Sequence, residues 1–132
     1  MVRAPIGWPI VPEAFRDTLL DIQTRFRLPI YVLENGTAAD DRPDEAGHVE
    51  DPGRIAYLQR YTDAMQAAIA MGADVRGYFV WSLLDNFEWA SGYSQRFGLT
   101  YVDFKTQRRI PKASARWYAD LIAKRRRTVA KA

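Results

Sequence analysis

The sequence predicts an α/β fold in which helices alternate with the strands of a parallel sheet, in the order helix, strand, helix, strand, helix. Two stretches carry apolar residues at helical spacing, and a short apolar run follows each of them. Both runs are apolar on successive residues, which is typical of strands buried on both faces of a parallel sheet. This alternation is the pattern of proteins built from repeated βα units.

The first helix begins at Pro12, because proline is favoured in the first helical turn. Its apolar stripe recurs every three or four residues and predicts one face packed on a core. The first strand follows in residues 28–33, where aromatic and β-branched residues are frequent. The stripe consists of Phe15, Leu19, Ile22 and Phe26.

The second helix is predicted to be capped by Asp51, opened by Pro52 and ended by Gly72. Residues 75–84 form the second predicted strand. A loop rich in glycine and aromatic residues follows, and then an extended piece over residues 99–104. A last helix is expected from Pro111, with Trp117, Leu121 and Ile122 facing inward.

Two parallel strands cannot form a complete sheet, because each would expose an unpaired edge and an uncovered apolar face. A closed barrel of βα units typically takes about 250 residues, whereas this chain has 132. We interpret it as an incomplete unit: a fragment, half of a split protein, or a subunit that borrows strands from a partner.

Composition excludes several classes of protein and site. The chain has no cysteine, so disulfides and thiolate metal sites are excluded. No apolar run approaches the length of a membrane span, and the N-terminus lacks the pattern of a signal peptide. We therefore expect no membrane contact and a cytoplasmic location. The acidic segment 40–51 contains the only histidine, His48, but it matches no calcium loop, and we expect a solvated loop without a metal.

The net charge of +3 is concentrated at the C-terminus, where residues 124–131 carry five cations. Cations at the end of a helix suit its dipole, and we favour this interpretation over nucleic-acid binding, which we do not expect.

The region 78–99 has the composition of a sugar pocket, since it places tryptophans, carboxylates and phenylalanines at and beyond a strand end. Aromatic faces stack on a pyranose, and carboxylates accept hydrogen bonds from its hydroxyls. Glu34 stands at the end of the other strand. Active sites of βα barrels lie at this end of the strands.

Five segments in this order resemble the family 1 glycoside hydrolases, from Gly7 to Lys124. The resemblance implies the fold class α/β, here the C-terminal part of a (β/α)8 TIM barrel with strands seven and eight, incomplete as a single chain. It also implies a glycosidase portion over residues 1–124, followed by a basic tail at 125–132. The segments are GWPIVPEAF, YVLENG, DPGRIAYLQRY, GYFVWSLLDNFEWASGY and RFGLTYVDFKTQRRIPKASARWY.

The same resemblance implies a retaining β-glucosidase that works through a covalent glycosyl-enzyme without a cofactor. In this family pattern Glu34 matches the nucleophile and Trp81 the platform under the first sugar. Glu88 matches the carboxylate that binds the outer hydroxyls of that sugar. Trp89 matches the indole that donates to a neighbouring hydroxyl, and Phe97 an aromatic wall near the hydroxymethyl group.

Two departures from the family pattern limit what this chain can do alone. Leu33 stands where the family usually has threonine, and the asparagine–glutamate–proline motif of the acid/base is absent. General acid catalysis typically contributes about 10²–10⁴-fold, so the isolated chain is predicted to be a poor enzyme. We expect a β-glucoside or short β-linked oligosaccharide as substrate, and a complementing N-terminal barrel part or self-association. The alternative is a non-catalytic carbohydrate-binding or self-associating half-barrel.

Several residues in these segments also have an alternative, purely structural interpretation. Glu34 could belong to a tight turn, and Trp81 could be barrel core. We predict that Asp85 accepts loop N–H groups and fixes the turn, and that Trp8 and Trp117 serve helix packing.

Overall fold

The structure is a computed structural model that describes residues 3, 4 and 6–129. Three helices and two pairs of strands follow one another along the chain. The elements are α1 (Pro12–Phe26), β1 (Ile30–Asn35), α2 (Pro52–Ala70), β2 (Val75–Val80), a 3₁₀ turn (Trp89–Ser91), β3 (Thr100–Val102), β4 (Arg109–Pro111) and α3 (Ala113–Val129).

Strands β1 and β2 pair in parallel, with Ile30 opposite Val75 and Asn35 opposite Val80. The helices cover one face of this two-stranded sheet. A core cluster of Leu19, Ile30, Val32, Ala68 and Ala73 joins α1, β1 and α2. Phe15 and Ile22 of the predicted stripe pack against it, but Phe26, the last residue of α1, is 65% exposed, so that part of the prediction is wrong.

The opposite face of the sheet is open. Tyr31, Leu33 and Phe79 are exposed there, and Leu83 is exposed just beyond β2. A Cβ atom on Gly77 would lie 2.5 Å from the Tyr31 ring and 3.3 Å from the Phe79 ring, which shows that these rings share one face. The predicted uncovered apolar face is therefore present.

The structure differs from the sequence prediction at several strands. Strand β1 spans Ile30–Asn35 instead of residues 28–33, so it includes Glu34. Strand β2 ends at Val80 rather than at residue 84, because the chain then turns away and only Leu84 forms a further bridge, to Thr100. Strand β4 was not predicted. It pairs antiparallel with β3, and this pairing delays the start of α3 from Pro111 to Ala113.

The expected cap of α2 is also wrong in detail. Asp51 precedes the helix, but its side chain caps none of the helix N–H groups. The carboxylate instead accepts hydrogen bonds from the Ser114 N–H at 2.8 Å and from its hydroxyl at 2.6 Å. Asp51 therefore connects the beginnings of α2 and α3.

Helix α3 continues to Val129, so residues 125–129 of the expected tail lie in its last turns. Residues 130–132 lie outside the described residues, and the division of the chain at residue 124 stays a prediction. None of the helices in the described part of the chain is long and apolar enough to cross a membrane.

Candidate active site

One open cavity of about 590 Å³ lies at the carboxyl ends of β1 and β2. All five residues singled out from the sequence line it: Glu34, Trp81, Glu88, Trp89 and Phe97. The five residues for which the family resemblance implies contact with one sugar therefore lie together in space. Trp8, Asn35, Gly36 and Tyr57 complete the lining.

Strand pairing places Glu34 beside Trp81. The Trp81 N–H donates to the Asn35 carbonyl at 2.9 Å, which extends the β1–β2 ladder by one residue. A Cβ atom on Gly36 would lie only 1.8 Å from the Trp81 carbonyl oxygen. Glycine at position 36 is therefore required for the close approach of the two strand ends.

The loop after β2 holds Glu88 and Trp89 in a tight turn. The Glu88 N–H donates to the Gly92 carbonyl at 2.6 Å, and the Ser91 N–H donates to the Glu88 carbonyl at 2.8 Å. Trp89 begins the 3₁₀ turn and its side chain is 80% exposed. The indole therefore extends into the open cavity instead of packing in a core.

Phe97 is the buried wall of the cavity and is only 4% exposed. Its carbonyl accepts from the Ser82 N–H at 3.1 Å, and the neighbouring Leu99 N–H donates back to the Ser82 carbonyl at 2.8 Å. These two bonds hold the end of the loop, at residues 97–99, against Ser82.

Trp8 is a site residue that the sequence analysis missed. The sequence predicts helix packing for Trp8, but the residue is 57% exposed and its ring centroid lies 6.2 Å from that of Phe97. Its only signal in the sequence is an aromatic residue beside Gly7, outside the stripe of α1. The expectation that Trp8 serves helix packing is therefore wrong.

The two glutamates of the cavity have no charge or hydrogen-bond partner for their carboxylates among residues 3, 4 and 6–129. Glu34 is exposed and Glu88 is half-buried. A carboxylate left without a partner in aromatic surroundings is costly. Both groups are thus available to a polar ligand.

Asn35 is held on the helix side of β1, directly after Glu34. Its amide accepts from the Tyr78 hydroxyl at 2.7 Å and donates to the Tyr57 hydroxyl at 3.4 Å. Burial raises the pKa of both phenols above the ordinary tyrosine value, and the mutual repulsion of the tyrosines adds to the effect. Both hydroxyls therefore stay protonated to a higher pH than an ordinary tyrosine, and the Tyr78 hydroxyl keeps its hydrogen bond to Asn35.

Behind the cavity lies a second group of polar side chains, which we call the buried charge cluster. It contains three carboxylates and three cations, and all of them except the half-buried Arg96 are almost completely buried. They come from the loop after β1, the start of α2, the loop after β2 and the start of α3. The members are Asp41, Asp51, Arg54, Asp85, Arg96 and Lys112.

Asp85 does accept loop N–H groups, as predicted. Its carboxylate takes the Gly98 N–H at 2.9 Å and the Val102 N–H at 3.4 Å. It also pairs with Arg96 at 2.6 Å and with Lys112 at 2.8 Å. The two cations were not anticipated, because Lys112 is 27 residues away along the chain.

The described residues include no group of three or more histidine, cysteine, aspartate or glutamate side chains that could hold a metal ion. The chemistry available in the cavity is therefore that of two carboxylates among aromatic rings. This combination suits the binding of a neutral sugar and nucleophilic attack by a carboxylate.

Comparison with known proteins gives a consistent result. The family model for glycosyl hydrolase family 1 matches residues 1–127. Beta-glucosidase A of Thermotoga maritima is 47% identical over 121 residues, which cover 91% of this chain and 27% of the relative. A bifunctional beta-D-glucosidase/beta-D-fucosidase of Bifidobacterium breve is 49% identical, with 89% and 27% covered.

Solved structures also match. The beta-glucosidase from Thermotoga maritima in complex with glucoimidazole superposes with a TM-score of 0.91 at 45% identity, covering 93% of this chain and 28% of that one. The chain thus spans about a quarter of the length of its relatives, 27% in both sequence matches given above. The predicted fold class is confirmed, since this is the C-terminal part of a (β/α)8 TIM barrel. The chain belongs to glycosyl hydrolase family 1.

Proposed function

We propose that this chain is the C-terminal part of a retaining β-glycosidase of the β-glucosidase type. In this proposal it supplies the nucleophile, Glu34, and part of the first sugar subsite. The observation that carries the proposal is the unpartnered Glu34 carboxylate in a cavity shared with Trp81, Glu88 and Trp89.

The roles of the lining residues follow from their chemistry. Trp81 provides an apolar ring for one face of a pyranose. The half-buried Glu88 accepts hydrogen bonds from the outer hydroxyls, and the Trp89 indole N–H donates one. Phe97 excludes water from one side. Together they hold the anomeric carbon of a terminal β-D-glucosyl residue toward Glu34.

The reaction needs a second carboxyl group. In a retaining mechanism the nucleophile attacks the anomeric carbon as the glycosidic bond breaks, and the second group protonates the leaving oxygen. Water activated by that same group then releases the sugar and restores the free nucleophile. The two carboxyl groups stand about 5–5.5 Å apart. We assign Glu88 to binding, so the second group comes from outside this chain.

The open face of the sheet supports a complementing partner. Leu33 is 70% exposed and Leu83 is 71% exposed, which is unusual for leucines at strand ends beside an active-site cavity. An N-terminal barrel part would cover this face and pair with the free strand edges. The proposed partner therefore completes the sheet and brings the acid/base.

The experiment is to join residues 1–132 to the N-terminal three quarters of the Thermotoga maritima relative and to measure hydrolysis of an aryl β-glucoside. We expect turnover by the fused protein, little by the chain alone, and none by fused Glu34→Gln. A folded fusion without Glu34-dependent turnover would contradict the proposal. So would equal rates for the chain alone and the fusion.

A non-catalytic binding protein is the second candidate, favoured only by the absence of an acid/base motif from this chain. A 2-deoxy-2-fluoroglucoside distinguishes the two. The nucleophile proposal expects covalent labelling of the fused protein at Glu34, detected by mass spectrometry. Sugar binding without labelling would favour the binding protein.

A further inference from the structure

The buried charge cluster is joined to the cavity through one loop. Asp85 stands at the start of the loop that carries Glu88 and Trp89, and its carboxylate accepts the Gly98 N–H next to Phe97. The two ends of the loop are therefore held by a single carboxylate. A Cβ atom on Gly98 would lie 2.2 Å from the Asp85 nitrogen, so the backbone segments are in close contact there.

Lys112 connects that loop to the loop after β1. Its ammonium donates to Asp85 at 2.8 Å and to Asp41 on the other side. Lys112 is completely buried at the start of α3, outside the cavity lining. It is the member of the cluster that bonds to carboxylates of both loops at once.

Two other bonds join the loops at Arg96, whose carbonyl accepts from the Ala39 N–H at 3.1 Å and from Arg54 at 2.7 Å, but neither involves Asp85 at the start of the second loop. Asp41 would keep Arg54 at 2.7 Å, and Asp85 would keep Arg96 at 2.6 Å. Without Lys112 the cluster would hold three carboxylates and two cations in a region closed to water. Lys112 is completely buried, and this burial lowers its pKa, with the nearby Arg54 adding to the effect.

We propose that Lys112 is a positioning residue for the sugar subsite, because it fixes the loop that carries Glu88, Trp89 and Phe97 relative to the loop that follows β1. This inference rests on the proposed function for its effect on sugar binding. We expect loss of Lys112 to leave the position of Glu34 largely unchanged, because the β1–β2 ladder holds that residue.

The first measurement uses the chain itself and needs no activity. Hydrogen exchange is compared between the wild type, Lys112→Met and the surface control Lys105→Met. We expect amides of residues 83–99 to exchange about tenfold faster in Lys112→Met, and residues 30–35 to keep their rates, because local opening is governed by local contacts. An unchanged loop, or equal acceleration throughout the chain, would overturn the proposal.

The second measurement uses the fused protein. We expect Lys112→Met to raise KM and the dissociation constant of glucoimidazole about tenfold, with a change in kcat below about threefold, as for loss of uniform binding. A fall in kcat with KM unchanged would overturn the inference.

Two further arms keep the test decisive. If Lys112→Met does not fold, Asp41→Asn takes its place, because it weakens the same link and retains a neutral acceptor. If the wild-type fusion neither hydrolyses the glucoside nor binds glucoimidazole, the proposed function fails. The exchange data then decide by themselves whether Lys112 holds the loop.

Discussion

The two faces of the β1–β2 sheet differ in how completely other parts of this chain cover them. On the helix side, Ile30 and Val32 are each 9% exposed and pack against α1 and α2. On the open side, Leu33 is 70% exposed although it neighbours Val32 on the same strand. The helix side therefore holds the core cluster of this chain, whereas the open side leaves large apolar side chains exposed, which is the face that our proposed partner would cover.

The charges show the same contrast. In the buried charge cluster, every carboxylate has a cation or N–H partner. In the cavity, Glu34 and Glu88 have none within the described ranges. Buried charges must be paired to be tolerated, whereas unpaired carboxylates in an open cavity remain free to meet a ligand. The location of unpaired charge thus marks the candidate site.

The largest expected effect comes from breaking the buried charge cluster. Arg54→Met removes the cation that Asp41 and Asp51 share, which leaves the buried Asp51 without a cation and Asp41 with Lys112 alone. We expect the free energy of unfolding to fall by about 3–5 kcal/mol. Urea denaturation measures it, and the exposed Arg60→Met on the same helix is the control. Equal losses for the two variants would contradict the contrast drawn here.

Two leucine-to-alanine variants compare the sides directly. Leu19→Ala on the helix side, where the residue is 3% exposed, should cost about 2–5 kcal/mol. Leu33→Ala should change the stability of the chain alone by less than about 0.5 kcal/mol, because the side chain is already in water. In the fused protein Leu33→Ala should lower the free energy of unfolding by more than it does in the chain alone. The same small cost in both proteins would mean that nothing covers the open side.

Most of the fold could be predicted from the sequence because its signals are local. The apolar stripe of α1 and the runs of β1 and β2 each lie within one element, and all three elements form. Strand β4 was missed because Arg109–Pro111 contains one apolar residue and forms only through pairing with β3. The formation of β4 therefore depends on its pairing with β3 and not on a signal within its own residues.

The candidate site was predictable through the resemblance more than through its residues alone. The position of Glu34 at a strand end follows from the apolar run before it, whereas Trp81 was predicted inside the second strand, and the cavity includes both. Trp8 was misread because its neighbour in space, Phe97, is distant along the chain. The buried charge cluster was missed for the same reason, since Lys112 is 71 residues from Asp41.

A smaller effect is expected in the cavity. Trp89→Ala should leave the stability of the chain within about 0.5 kcal/mol, because the indole is 80% exposed. In the fused protein it should weaken glucoimidazole binding about tenfold, as expected for loss of an aromatic contact worth about 1.4 kcal/mol. Calorimetric titration measures this effect. Undiminished affinity would remove Trp89 from the proposed subsite.

The smallest effect concerns pH and compares two tyrosines on opposite sides of the sheet. Burial holds the pKa of Tyr78 above its ordinary value of about 10, whereas Tyr31 is 55% exposed. Above pH 10 the unfolded chain loses the Tyr78 proton and the folded chain keeps it, so stability falls as pH rises. Between pH 9 and 11, the free energy of unfolding of Tyr78→Phe should fall by about 1 kcal/mol less than that of the wild type. For Tyr31→Phe it should fall by the same amount as for the wild type. Identical pH profiles would show that the Tyr78 hydroxyl is not held neutral by the fold.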